Sequence, residues 1–342
     1  MIKTGAMAKH LLHATISTAL RDDGPKRAIR NLVELGEKFS VGRFQREFFS
    51  TISSMLKNEN SLYYKLWETV LKETDHDSLK TFGINIGYNG CTAGIKTLRA
   101  LEKQHNCGIP AVISILYNGS EMDSAKVDNI VRQGEKLGIF AYIITYCGGD
   151  LGSLSSVFTA HKDCGFVLLT EGCELSCDTV SRLTIKKNVM LSVSAGECGF
   201  EETCRRLRSM RTLYCVYSRY DEAQADEIVS GKLVEKVMPC SNTFVLLIPD
   251  DDVSDNTAAR VGAFAAECRK QQRYPFILMD VRLDLLDINR AIANSACFVA
   301  FDTDGQLITQ KGKTNDSSLN ITKYGLLDIF RKSLVLEQPR SA

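Results

Sequence analysis

The sequence predicts an α/β protein built as a full or partial β/α barrel, with an open doubly wound sheet as the alternative. From Phe82 to about residue 305, apolar runs of strand length alternate with amphipathic runs of helical length. Near-continuous apolar strands separated by helices mean a parallel sheet with covered faces. At roughly 20–30 residues per βα unit, six or more units fit into that stretch. The chain has only 6 prolines in 342 residues, and no linker-like segment interrupts the run.

The elements follow in order. The first 80 residues read as an N-terminal helical extension of three or four helices. Asp23-Gly24-Pro25 is a turn with proline at the first helical position. Ile29, Leu32, Val33 and Leu35 then fall on helical spacing, as do Phe44, Phe48, Ile52, Met55 and Leu56. A third stripe holds Leu62, Tyr63, Leu66, Trp67, Val70 and Leu71, with Asn60 or Ser61 as its N-cap. Residues 74–78 close the extension. The β/α region spans 81–312. Its strands are expected at 83–87, 111–116, 140–146, 166–170, 189–194, 213–218, 243–248, 276–280 and 297–302. Its clearest helices are expected at 92–105, 124–137, 153–161, 201–210 and 257–272. A polar, mobile connection over 313–322 leads to a last helix over 323–336, so 313–342 forms a third region.

Composition narrows the function. Forty-two basic residues against 41 acidic give a net charge of +1. This argues against bulk binding of nucleic acid or an anionic membrane, which needs a basic excess. No apolar run reaches the roughly 20 residues of a membrane helix. The start, MIKTGAMAKHLLHATIS, lacks a long apolar core and a small-residue cleavage site and reads as a helix. The 12 cysteines are scattered, several of them in apolar strand-like runs such as those around Cys215 and Cys297. Reduced thiols of that kind act as small hydrophobes, and the expected compartment is a reducing cytoplasm.

Several stretches keep a common order and spacing. Ile84-Asn85-Ile86-Gly87-Tyr88-Asn89-Gly90 precedes Asn106-Cys107-Gly108-Ile109-Pro110-Ala111. Ile130-Val131-Arg132-Gln133-Gly134-Glu135-Lys136-Leu137-Gly138 leads to Tyr146-Cys147-Gly148-Gly149-Asp150-Leu151. Leu169-Thr170-Glu171-Gly172, Leu191-Ser192-Val193-Ser194-Ala195-Gly196 and Ile277-Leu278-Met279-Asp280 with Asp284 follow. Together they resemble the radical S-adenosylmethionine (SAM) superfamily over roughly residues 60–310. Cys147 to Leu151 stands where that family has a Gly-Gly-Glu-Pro-Leu turn. Leu169 to Gly172 stands for its Thr-Asn-Gly, and Leu191 to Gly196 for its strand ending in Ser-x-x-Gly. The resemblance implies a partial (β/α)6 barrel.

The departures bear on activity. The family's C-x-x-x-C-x-x-C loop, directly after the first barrel strand, supplies three thiolates to a [4Fe–4S] cluster whose open iron chelates SAM. Here the first strand runs through Tyr117-Asn118-Gly119-Ser120-Glu121-Met122-Asp123 into the next helix, and no C-x-x-x-C-x-x-C occurs anywhere. Asp150 replaces the turn's Glu, and Leu151 its Pro. The family's late cysteines are also absent, and residues 304–309 occupy that end. The resemblance therefore implies the fold while removing the electron source for homolytic cleavage of SAM.

Other groupings have bland and sharp readings. Cys173 and Cys177, at C-x-x-x-C spacing, could ligate a displaced cluster or zinc, but a matching second pair is poor. Gly148, Gly149 and Asp150, with Ser194 as an accessory, could form a residual SAM-like pocket. Glycines allow close approach, and a carboxylate accepts from an ammonium group. The plainer reading is a strand-to-helix turn with Asp150 at the helix N-terminus. Asp250-Asp251-Asp252 could bind a hard cation or be a solvated, helix-capping loop. Asp280, Arg282 and Asp284 read as an ion-pair cluster at a strand end. Arg205, Arg206, Arg208 and Arg211 read as a solvated basic face. The five histidines (10, 13, 76, 105 and 161) form no catalytic grouping.

The expectation is thus a degenerate radical SAM-fold protein, leaning towards a pseudoenzyme, with neither SAM nor [4Fe–4S] retained and no catalytic or metal-binding residue assigned. It would be a non-catalytic binding or partner subunit for an active radical SAM homologue or its peptide or small-molecule substrate. The alternatives are an active radical SAM enzyme with ligands at Cys147, Cys173 and Cys177, or a sensor binding SAM or a nucleotide.

Overall fold

Caps and apolar stripes place the N-terminal helices. In the computed structural model, which describes residues 16–18, 24–40, 43–170, 174–240, 243–293 and 297–336, α1 (Pro25–Phe39) begins with proline at its first position. After α2 (Arg43–Met55), the Ser61 hydroxyl accepts the Tyr63 N–H at 3.2 Å to start α3 (Leu62–Glu73). Asp75 caps α4 (His76–Gly83) by accepting the Ser78 N–H at 2.9 Å. A π-helix (Ile84–Gly94) and α5 (Ile95–His105) follow.

Strands and helices then alternate: β1 (Val112–Tyr117), α6 (Ser124–Leu137), β2 (Ala141–Tyr146), α7 (Leu154–Ala160), β3 (Gly165–Thr170) and α8 (Cys177–Leu183). The order continues with β4 (Val189–Ser194), α9 (Phe200–Ser209), β5 (Tyr214–Tyr220), α10 (Gln224–Val229), α11 (Lys232–Val237), β6 (Phe244–Pro249), α12 (Asp255–Lys270) and β7 (Ile277–Asp280). It ends with α13 (Val281–Ile292), short β8 (Ala300–Phe301), β9 (Leu307–Thr309) and β10 (Gly312–Lys313), and α14 (Leu326–Ser333). The α/β class with successive βα units, of the partial-barrel kind, is what the chain adopts.

The chain divides into two units. One comprises Met1–Ile84, Glu171–Leu175 and Val189–Leu283. Its strands pair in parallel, β4 with β5 (Ser192 beside Cys215), β5 with β6, and β6 with β7 (Leu246 beside Met279). Val33, Leu56 and Tyr64 form the core of its N-terminal helices, with Ile29, Phe49 and Ile52 packed against them. These helices are tied to the βα part by polar contacts. The Arg211 carbonyl accepts the Asp75 N–H at 2.8 Å, the Arg211 guanidinium donates to the Thr74 carbonyl at 3.0 Å, and Arg208 pairs with Glu73 at 2.9 Å. Two arginines of the expected solvated basic face thus hold the helical extension.

The other unit comprises Asn85–Thr170, Ser176–Asn188 and Asp284–Ala342. Here β1 runs parallel to β2 (Tyr117 beside Tyr146) and to β8 (Ile115 beside Phe301), and β2 parallel to β3. The antiparallel β9 and β10 extend it past β8. The C-terminal ends of β1 and β2 therefore share one edge, where ligand sites of parallel sheets gather.

Several elements differ from the sequence expectation. The run 83–87 is not a strand but the junction of α4 and the π-helix. Alternating isoleucines imitate strand periodicity, whereas the amides of Asn85 and Asn89 require a helical turn. Asn85 donates to the carbonyls of Lys162 and Cys164, and Asn89 to that of Asp163, each at 2.8 Å. Arg282 and Asp284 lie on α13, and only Asp280 ends a strand. The 313–322 stretch is pinned, not free. Lys313 pairs with Asp302 at 2.5 Å, and Gln306 donates to the Thr314 hydroxyl and the Asp316 carbonyl, each at 2.8 Å. The last helix starts only at Leu326, whose N–H donates to the Gln133 side-chain oxygen at 2.8 Å.

Asn85 is buried and satisfies two carbonyls of the α7–β3 turn. Asn85→Ala should lower stability by about 1–3 kcal/mol, the usual cost of stranding buried polar groups. Urea unfolding followed by circular dichroism measures it.

Candidate functional site

The connection after β1, residues 118–123, is short and closed on itself. The N–H groups of Asn118 and Gly119 both donate to the Met122 carbonyl at 3.3 Å. The Asn118 side-chain oxygen accepts the N–H groups of Ser120 at 3.1 Å and Met122 at 2.9 Å. Met122 is fully buried, and Asp123 caps α6 at once by accepting the Lys126 N–H at 2.8 Å. The direct strand-to-helix join read from the sequence is present.

The turn after β2 packs onto this connection. Cys147 N–H donates to the Tyr117 carbonyl at 2.7 Å, and the Tyr146 hydroxyl to the Gly149 carbonyl at 2.8 Å. The Tyr117 hydroxyl donates to the Asp150 carbonyl at 2.8 Å and lies 2.7 Å from the Ser153 hydroxyl. Gly149 has φ +87°, and a Cβ built there would stand 2.7 Å from both the Asn118 carbonyl oxygen and Gly119 Cα. The two loops are thus in backbone contact. Gly148, at φ +141°, is different: nothing lies within 4 Å of a Cβ placed on it. This is the open side of the turn.

The Asp150 carboxylate accepts the Gly152 N–H at 2.9 Å. It caps the 3-10 turn Leu151–Ser153 that leads into α7, where a carboxylate is favoured by the helix dipole. The Arg182 guanidinium covers Gly152, 2.9 Å from where a Cβ would be.

In the other unit, Ser194 ends β4, and its hydroxyl accepts the Gly196 N–H at 3.3 Å. Ser192 is buried and accepts from the Cys215 thiol at 3.2 Å. Burial pushes that thiol up to about 12. Asp250 pairs with Arg219 at 2.9 Å, and the cap of α12 is Ser254, not the Asp250–Asp252 run. Asp280 is buried; its carboxylate accepts the Tyr220 hydroxyl at 2.8 Å and the Leu283 N–H at 2.9 Å. Arg282 reaches Asp255 at 3.3 Å.

The donor set at the β1 edge does not suit an iron–sulfur cluster. Residues 118–123 offer an amide, a hydroxyl, carboxylates and a buried thioether, and no thiolate. Cys147 is exposed, its thiol 3.6 Å from the Thr145 carbonyl. Cys177 is exposed in the first turn of α8. Cys173 lies outside the described residues, as do His10 and His13. Burial pushes Cys91 up to about 11, and Cys164 is raised first by burial and then by Glu135. Such thiols resist becoming the thiolates that metals require. The sequence reading missed the bracing by Tyr117, Tyr146 and Ser153. Tyr117 and Ser153 are 36 positions apart, and no spacing rule links them.

No family model and no curated protein matches the sequence. Among solved structures, SuiB of Streptococcus suis is similar in fold. SuiB bound to its precursor peptide SuiA has a TM-score of 0.49 and 12% identity, covering 68% of this chain and 67% of that one. SuiB bound to S-adenosylmethionine has a TM-score of 0.48 and 13% identity, covering 70% of each chain. SuiB alone gives 0.48 and 12%, covering 69% of each. The likeness is one of fold alone.

Gly149→Ala should destabilise the protein by about 1–3 kcal/mol, through left-handed strain and collision with Asn118. Gly148→Ala carries only the backbone strain, so its loss should be smaller. Paired thermal melts that rank the variants the other way would contradict the loop contact.

Proposed function

We propose that this protein is a non-catalytic, cluster-less relative of radical SAM enzymes. It would act as a binding or partner subunit for an active radical SAM enzyme or for that enzyme's peptide or small-molecule substrate. One observation carries the reading: the connection 118–123 joins β1 to α6 without thiols and closes against Gly149. In the superfamily that the sequence resembles, the cluster loop occupies this place. Its replacement removes the ligands while keeping the parallel strands and their C-terminal edge. Binding is the capacity such an edge retains. The exposed thiols of this unit lie on different elements, Cys147 in the turn after β2 and Cys177 in the first turn of α8.

Anaerobic iron–sulfur reconstitution with iron and sulfide analysis tests the reading. Substoichiometric iron and no 5′-deoxyadenosine from SAM under reducing conditions are expected. Near-stoichiometric [4Fe–4S] absorbance that Cys173→Ala abolishes would establish the active-enzyme alternative instead.

The open side of Gly148 favours one further possibility, a residual pocket at Gly148, Gly149 and Asp150 that holds SAM or a nucleotide without turnover. Calorimetry with SAM distinguishes it. Binding that Asp150→Ala weakens tenfold or more would mark a sensor. No heat with the wild type would leave the partner-subunit reading.

A further inference from the structure

His161 follows α7 and is 5% exposed, yet both of its ring nitrogens face carboxylates of α6. Nδ1 lies 2.8 Å from the Glu135 carboxylate and Nε2 lies 3.0 Å from that of Asp128. A neutral imidazole has one N–H and one lone pair. In that form, one nitrogen lone pair would stand against a carboxylate oxygen at hydrogen-bond distance. Only the imidazolium, with two N–H donors, satisfies both contacts.

The surroundings agree in charge. Asp128 also pairs with Arg132, so two carboxylates face one guanidinium and one imidazolium. The other titratable groups facing this cluster are Cys164, whose thiol donates to Glu135 at 3.4 Å, Asp163 beside it, and the buried Tyr142 of β2. The remaining contacts are neutral. The Asn188 amide donates to the His161 carbonyl at 3.1 Å, and Asn85 and Asn89 of the π-helix hold the next three carbonyls. The turn 161–164 therefore ties α6, the π-helix and the start of β3.

We propose that His161 is a proton-operated clamp, held as an imidazolium between Asp128 and Glu135, that fixes the α7–β3 turn to α6 and releases it when the ring loses its proton. Burial alone would favour the neutral ring; the hydrogen bonds and charges of Glu135 and Asp128 outweigh it and raise the ring's proton affinity in the fold. The sign follows. A raised folded value means that the stabilisation is complete below the unfolded value of about 6.5 and is lost as pH rises through the folded one.

Ring ¹⁵N NMR of the full-length protein, assigned by comparison with His161→Gln, reads the proton directly. Both His161 nitrogens should remain protonated through a midpoint above about 6.5, and Glu135→Gln should lower that midpoint. Urea unfolding from pH 5.5 to 9.5 gives the coupling. The ratio of variant to wild-type unfolding constants should be greatest in acid and fall towards high pH, about tenfold per unit of elevation. A His161 midpoint at or below the ordinary value, or a ratio flat across that range, would overturn the clamp.

Discussion

Backbone contact between two turns governs the C-terminal edge of β1 and β2. Gly149 lies so close to Asn118 and Gly119 that a single added carbon would collide. Because the approach is backbone to backbone, no side-chain rearrangement could relieve it. Tyr117 and Tyr146, which stack at the ends of adjacent strands, brace it through their hydroxyls on Asp150 and Gly149. The connection that lacks cluster ligands is thus a packed, hydrogen-bonded part of the fold. The proposed loss of radical chemistry and the retained binding edge both rest on that connection.

Asparagine side chains do much of the work of closing the second unit. A buried carbonyl without a donor is costly, and loops between parallel strands leave many such groups. Asn85, Asn89 and Asn188 supply donors around the α7–β3 turn. Asn289 does the same at the entrance to β1, accepting the Ala111 N–H at 2.8 Å and donating to the Cys297 carbonyl at 2.5 Å. The His161 cluster adds charge to the same turn, so polar satisfaction and protonation become linked there.

Much of the fold was legible because buried parallel strands leave a local mark. The runs at 166–170, 189–194 and 276–280 are apolar on both faces, and each proved to be a strand within a residue of its expected bounds. The helix over 124–137 was readable from its Asp123 cap and its Gly138 stop. The same logic failed at 83–87, where Ile84 and Ile86 alternate but Asn85 and Asn89 bind a distant turn. It also missed α10 and α11, which are too short to develop a periodic stripe.

By itself, the sequence determined the α/β class, the succession of βα units and the thiol-free join after the first strand. Each of these is written in contiguous residues, as hydrophobic runs or as the presence of particular side chains. Only the tertiary structure decided that Gly149 is closed while Gly148 is open, and that His161 sits between two carboxylates. Those facts depend on residues 26 to 33 positions apart being brought into contact. Chain folding creates such proximity, and no local pattern encodes it.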